Sequence, residues 1–288
     1  MSGRTQWRWM MDCAMEQDLR WRFSDEEIAL TPSRVAGVSA EEETSRVRAA
    51  ARLIADAGVA IRVEPVAIGV SIKFLQRFFM LESVTSVHPL EVAPACLFLG
   101  CKCQEQAVRA QDVIQSTFKL RTRCAEFPEG EEIMVADPRF FDEKQALLKA
   151  ERDILRVLNF DLEVRHPYKY LYDLVSSMHG NQSPSNNLIS KQIMLVAHCI
   201  LNDSFSGTDV HLRFDERDIA AVAYYFAAKC IPNCELSSGT YRDATGARHK
   251  AWHEFYTSDM DAVEKIGDAI ISMYKQDQEK DQRQVPAG

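Results

Sequence analysis

Apolar positions recur every three or four residues along most of this chain, a spacing that gathers them on one face of a helix. The first clear segment covers 46–57, with Ala50, Leu53, Ile54 and Ala57 on one stripe and Gly58 as its expected stop. Pro65 begins the next, in a first turn where a missing N–H costs nothing, and Val66, Gly69, Val70, Phe74, Arg77 and Phe78 follow. His88 and Pro89 open a third segment, apolar almost all round over 92–103. Such a helix belongs at the centre of a domain. A short helix over 111–118, a loop over 124–138 with Pro128, Gly130 and an acidic run, and a strongly periodic helix over 144–158 complete this group.

The pattern breaks near 161–167 and restarts. Helices are expected over 168–178, 188–205, 215–230, 248–255 and 261–274, separated by polar loops at 180–187 and 235–246. The tail from Lys275, rich in Gln, Lys and Asp, is expected to be disordered. The stretch from Ala93 to Cys103 can be laid over that from Ala220 to Cys230, both ending in Lys-Cys. Three identical positions are weak support alone, but with two helix groups of similar count they suggest a duplicated helical domain.

Composition fits this picture. The 288 residues suffice for two domains, and 46% hydrophobic with 26% charged residues is the balance of a soluble globular protein. A formal charge of -8 argues against a surface built to bind nucleic-acid backbones. Eight cysteines lie mostly in apolar runs and read as reduced, buried thiols. No apolar run reaches a membrane span, and residues 1–22 mix Trp7, Trp9, Met10, Met11 and Trp21 with polar residues instead of forming a secretory segment. An intracellular compartment is expected.

Catalytic signatures are missing: no Gly-rich phosphate loop, no G-x-S-x-G elbow, no H-E-x-x-H and no kinase catalytic motifs. His249 and His253 stand four apart on an expected helix, as do Cys230 and Cys234, but no second pair completes a metal site. Surface histidines and core thiols are the better reading, so neither a metal nor a cofactor is expected. Lys102 stands out, because it ends the most apolar helix. Its head must reach water or a carboxylate, with Glu151 or Glu105 as candidate partners. The residues alone favour an internal ion pair or a lysine snorkelling at a helix end.

Phe74-Leu75-Gln76-Arg77-Phe78-Phe79-Met80, followed by Ala93-Pro94-Ala95-Cys96-Leu97-Phe98-Leu99-Gly100-Cys101-Lys102-Cys103-Gln104-Glu105, resembles the cyclin box, in the version of the transcription-associated cyclins T and K. Trp21, Phe23, Thr31-Pro32-Ser33, the run from Glu151 to Leu162 and His166-Pro167-Tyr168 are similar too, so the resemblance covers roughly 21–275. It implies an all-α fold of two tandem five-helix boxes: an N-terminal extension over 1–40, a first box over 41–162, a second over 163–275 and a tail over 276–288. It also implies a nuclear, non-catalytic subunit that binds and activates a cyclin-dependent kinase acting on the RNA polymerase II C-terminal domain. Lys102 and Glu151 match the family's kinase-bonding pair, Glu105 a further glutamate and Phe160 an aromatic at that interface, with Phe98, Leu148 and Leu155 completing the surface. Gln76 and Gln104 depart from the family pattern, and the stretch from Arg46 to Ala50 lacks the substrate-docking patch of cell-cycle cyclins. The alternative is a cyclin-fold general transcription factor that binds DNA; the acidic charge and missing C-x-x-C pairs count against it.

Overall fold

The computed structural model describes residues 20–123, 129–178, 188–231, 241–242, 248–249 and 259–284. The chain divides into two compact units, 1–165 and 166–288. In the first, α1 (Asp25–Ala29) and α2 (Pro32–Val35) precede five helices: α3 (Ala40–Ala60), α4 (Pro65–Leu81), α5 (Pro89–Cys103), α6 (Ala110–Arg121) and α7 (Pro138–Val157). The helix expected to be central is so: α5 packs on α3, α4, α6 and α7. Helix α4 is as deeply enclosed, with Ile72, Phe74 and Leu75 essentially sealed from water. Even its Lys73 and Arg77 are buried, and they donate to the Arg165 and Glu163 carbonyls at 3.1 and 2.9 Å.

Two boundaries differ from expectation for local reasons. Gly58 is not a stop, since α3 runs on to Ala60; a Cβ there would lie 2.7 Å from Ile68 Cγ1, so glycine permits close packing on α4. Helix α7 begins at Pro138, inside the expected loop. The Asp137 carboxylate caps it, accepting from the Arg139 N–H at 2.9 Å, and Pro138 takes the first helical position.

The segment before α3 is tied in by buried polar groups. Glu43, 5% exposed, accepts from Thr31 Oγ1 at 2.7 Å and from Arg34 Nε at 2.8 Å. Removing that carboxylate strands both donors. Glu43→Ala is expected to lower unfolding free energy by about 2 kcal/mol, measured by denaturant titration; an unchanged midpoint would show that α2 is not held this way.

In the second unit α8 (Pro167–Met178), α9 (Leu188–Gly207), α10 (Val210–Arg213) and α12 (Met260–Gln284) all pack on α11 (Glu216–Cys230). The two stretches of the faint repeat are therefore the central helices of their units. A buried line of hydrogen bonds joins Ser204 Oγ to His211 Nε2 at 2.9 Å and His211 Nδ1 to Glu216 Oε2 at 3.2 Å. It resembles hydrolytic chemistry only in composition. Ser204 is sealed from water, and its hydroxyl donates to the Leu201 carbonyl at 2.7 Å, so it serves the fold.

Two expectations here are corrected. Residues 248–249, placed in a helix from the sequence, form strand β2 (Arg248–His249), antiparallel to β1 (Tyr241–Arg242). Cross-strand backbone pairing overrides a weak helical pattern whose apolar members, Trp252 and Phe255, lie outside the described residues. The tail is not disordered from Lys275: α12 continues to Gln284, through residues of good helix propensity with no Gly or Pro among them. The loops at 180–187 and 235–240 and residues 1–19 also lie outside the described residues. No helix among those described is long and apolar enough to cross a membrane.

Candidate functional site

Helix α5 ends in a tight hydrogen-bonded turn. The Gln106 N–H donates to the Cys101 carbonyl at 2.9 Å, and Glu105 adopts a left-handed φ of 52°. Lys102 sits in the last turn, where a cation complements the helix dipole. Its Nζ lies 4.0 Å from the centroid of the Phe98 ring one turn earlier, and 2.6 Å from Glu151 Oε1 on α7. Of the two carboxylates considered from the sequence, Glu151 is therefore the partner. The lysine side chain is 47% exposed and the glutamate 12%. Solvent reaches the lysine end and screens the pair, so it contributes about 1 kcal/mol to stability.

Helix α7 presents two stripes of seven-residue spacing. Phe140, Leu147 and Ile154 are buried in the core. Their neighbours Phe141, Leu148 and Leu155 form the second stripe, with Phe141 63% exposed and the two leucines half-buried. Glu151 shares the Leu148 and Leu155 face by its three- and four-residue offsets. Just beyond the helix, Phe160 is 69% exposed with φ of 57°. The structure thus joins Phe98, Lys102 and Glu151 directly, sets Leu148 and Leu155 on the face of Glu151, and leaves Glu105 and Phe160 exposed at the ends of α5 and α7. Phe141 was missed from the sequence. Its spacing from Leu148 and Leu155 is a usable signal, hidden because the helix is expected to start only at Lys144.

A cleft of about 560 Å³ lies between the end of α3, α6 and residues 132–134, but its charged groups are paired, Arg109 with Asp112 and Lys119 with Glu132. Nor do the described residues contain a group of three or more His, Cys, Asp or Glu placed to hold a metal. His249 lies on β2 and not on a helix; His253 and Cys234 are outside the described residues.

The thiols divide by environment. Cys96 and Cys101 are buried, and burial pushes the Cys101 thiol up to about 11. Cys103 is raised by burial and by the nearby Glu151, with Lys102 opposing. Contrary to expectation, Cys199 and Cys230 are exposed, because they occupy outward positions on α9 and α11. Brief iodoacetamide treatment at pH 8 is expected to alkylate Cys199 and Cys230 and to spare Cys96 and Cys101, as read by peptide mass spectrometry. Equal labelling of all four would contradict the burial.

The family description "Cyclin, N-terminal domain" matches residues 18–163, half of the chain. The chain belongs to the cyclin family. This cyclin is 25% identical to Cyclin-K of Homo sapiens over 268 residues, covering 92% of this chain and 43% of that protein. It is 31% identical to Cyclin-L2 of Mus musculus over 210 residues, covering 72% of this chain and 38% of that protein. It therefore spans less than half the length of these relatives. Among solved structures, a chain of the yeast RNA Pol II CTD kinase CTDK-1 complex matches with a TM-score of 0.65 at 17% identity, covering 88% of this chain and 72% of that one. A chain of the CAK complex from Chaetomium thermophilum, bound to ATP-gamma-S, matches with a TM-score of 0.61 at 18% identity, covering 88% and 76%. These two likenesses establish the fold.

Proposed function

We propose that this cyclin is the non-catalytic regulatory subunit of a heterodimer with a cyclin-dependent kinase, docking it through the exposed ends and facing stripe of α5 and α7. The carrying observation is the Lys102–Glu151 pair, with its lysine exposed, its glutamate largely covered, and Phe98, Leu148 and Leu155 flanking it. A pair so placed does little for the fold, yet it offers donors and acceptors to a partner's backbone, with apolar surface around them to exclude water. On docking, that exclusion strengthens each polar contact.

Activation follows from differential binding. The catalytic glutamate of a kinase's regulatory helix must pair with its strand lysine to position ATP phosphates. Contacts that this surface makes only with the helix-in state shift the population toward it. A stable interface of this kind buries roughly 2,000 Å² or more. The likeness to Cyclin-K, and to a chain from an RNA polymerase II CTD kinase complex, supports that domain as the substrate and the nucleus as the place of action.

Affinity purification of the full chain, followed by mass spectrometry, tests the reading. A cyclin-dependent kinase should co-purify in stoichiometric amount, and the complex should phosphorylate a heptad-repeat polymerase peptide while the free chain does not. Salt-sensitive DNA binding with no associated kinase would overturn it.

A further inference from the structure

Helices α3, α5 and α7 end alike. Each carries a non-glycine residue in the left-handed region, Arg62 at φ 59°, Glu105 at 52° and Asn159 at 50°. Each turn is closed by a backbone bond spanning five residues: Val63 to Gly58 at 2.8 Å, Gln106 to Cys101 at 2.9 Å and Phe160 to Leu155 at 2.9 Å. Only α7 adds a second left-handed residue, Phe160 at 57°. Asparagine tolerates that conformation; an aromatic residue is sterically disfavoured there. Nor is the strain offset by burial, since the ring is 69% exposed. A turn that is unfavourable both in its backbone and in its side chain's environment persists only where its surroundings over-determine it.

The following residue supplies that restraint. Asp161 accepts from Trp21 Nε1 at 3.0 Å and from Arg20 Nη1 at 3.3 Å, and its side chain is only 13% exposed. Trp21 is itself buried, with the Arg77 guanidinium 4.9 Å from its ring and Phe23 edge-on at 6.4 Å. Arg77 also bonds the Glu163 carbonyl, and Lys73 the Arg165 carbonyl, so alternate residues from 161 to 165 are fastened.

We propose that Trp21 and Asp161 form a clamp that holds Phe160 outward as a preset knob for the kinase, making Trp21 a positioning residue for docking. The proposal rests on the kinase-binding reading above. A preset aromatic spares the partner the entropy of ordering it; without the clamp the competent turn is populated only in part, and apparent affinity falls by that fraction.

The test is a mutant cycle on the full chain, titrated against the kinase that co-purifies with the wild type. Trp21→Phe keeps an aromatic ring and removes the donor, and is expected to weaken binding by about tenfold with an unchanged circular dichroism spectrum. Asp161→Ala, which removes the acceptor, should weaken it similarly and guards against misfolding of the first variant. In a Phe160→Ala background Trp21→Phe should have less than about a twofold effect, because the group it positions is gone. A Trp21→Phe loss of equal size with and without Phe160, or no loss in either clamp variant, overturns the clamp. Lys102→Glu is run alongside. If it loses the kinase while the clamp variants bind like wild type, only the clamp fails; if it binds normally, the docking reading fails with it.

Discussion

Lys102→Glu is expected to weaken kinase binding by at least about a hundredfold while leaving the cyclin folded. The substitution sets a carboxylate against Glu151, where Lys102 Nζ now stands 2.6 Å from Oε1, and removes the cation above Phe98. In the free chain the lysine is 47% exposed, so solvent screens the repulsion and stability changes by about 1 kcal/mol or less. In the proposed complex the site would be enclosed. There, breaking a desolvated pair costs about 3–5 kcal/mol, which corresponds to a rise of roughly two to four powers of ten in Kd. Titration calorimetry against the co-purified kinase and a denaturant melt separate the two effects. A large fall in stability with a small change in affinity would reverse the assignment, making the pair a structural one.

Gly100→Val has the largest expected effect on the fold. A Cβ on Gly100 would lie 2.1 Å from Ser71 Oγ and 3.0 Å from the Ala67 carbonyl oxygen. Ser71 is sealed from water and its hydroxyl is bonded to that same carbonyl at 2.7 Å, so it has no open direction to retreat. Helix α4 must therefore move away from α5, opening the central contact of the first unit. Overpacking of this kind costs about 3 kcal/mol, read as a lowered denaturation midpoint. Because Lys102 stands two residues further along α5, kinase affinity should fall as well. Wild-type stability in the valine variant would mean that the helices do not approach as closely as described.

Much of the first unit was legible because its helices are one-sided. Phe74 and Phe78, or Leu147 and Ile154, recur at spacings that admit only a helix, and the unbroken apolar run ending at Cys101 marks a central one. Ends were harder. The starts of α3 and α7 are set by Ser39 and Asp137, single polar residues outside any periodic pattern. Pairings between distant residues were harder still: Lys102 could be matched from the sequence to either of two glutamates, and a contact between Trp21 and Asp161, 140 positions apart, leaves no local trace. Ser204, His211 and Glu216 look like ordinary polar residues at helix ends until folding encloses them. The family resemblance supplied roles for Lys102, Glu105, Glu151 and Phe160, whereas Phe141 and the restraint on Phe160 emerge only when α7 and the turn beyond it are seen whole.

Hydrogen–deuterium exchange on the full chain, alone and saturated with the co-purified kinase, tests the central claim most directly. Docking through the ends of α5 and α7 predicts slowed exchange over 98–105 and 141–161, with little change in α9. Unchanged exchange over 98–105 and 141–161, with protection confined to other segments, would contradict it.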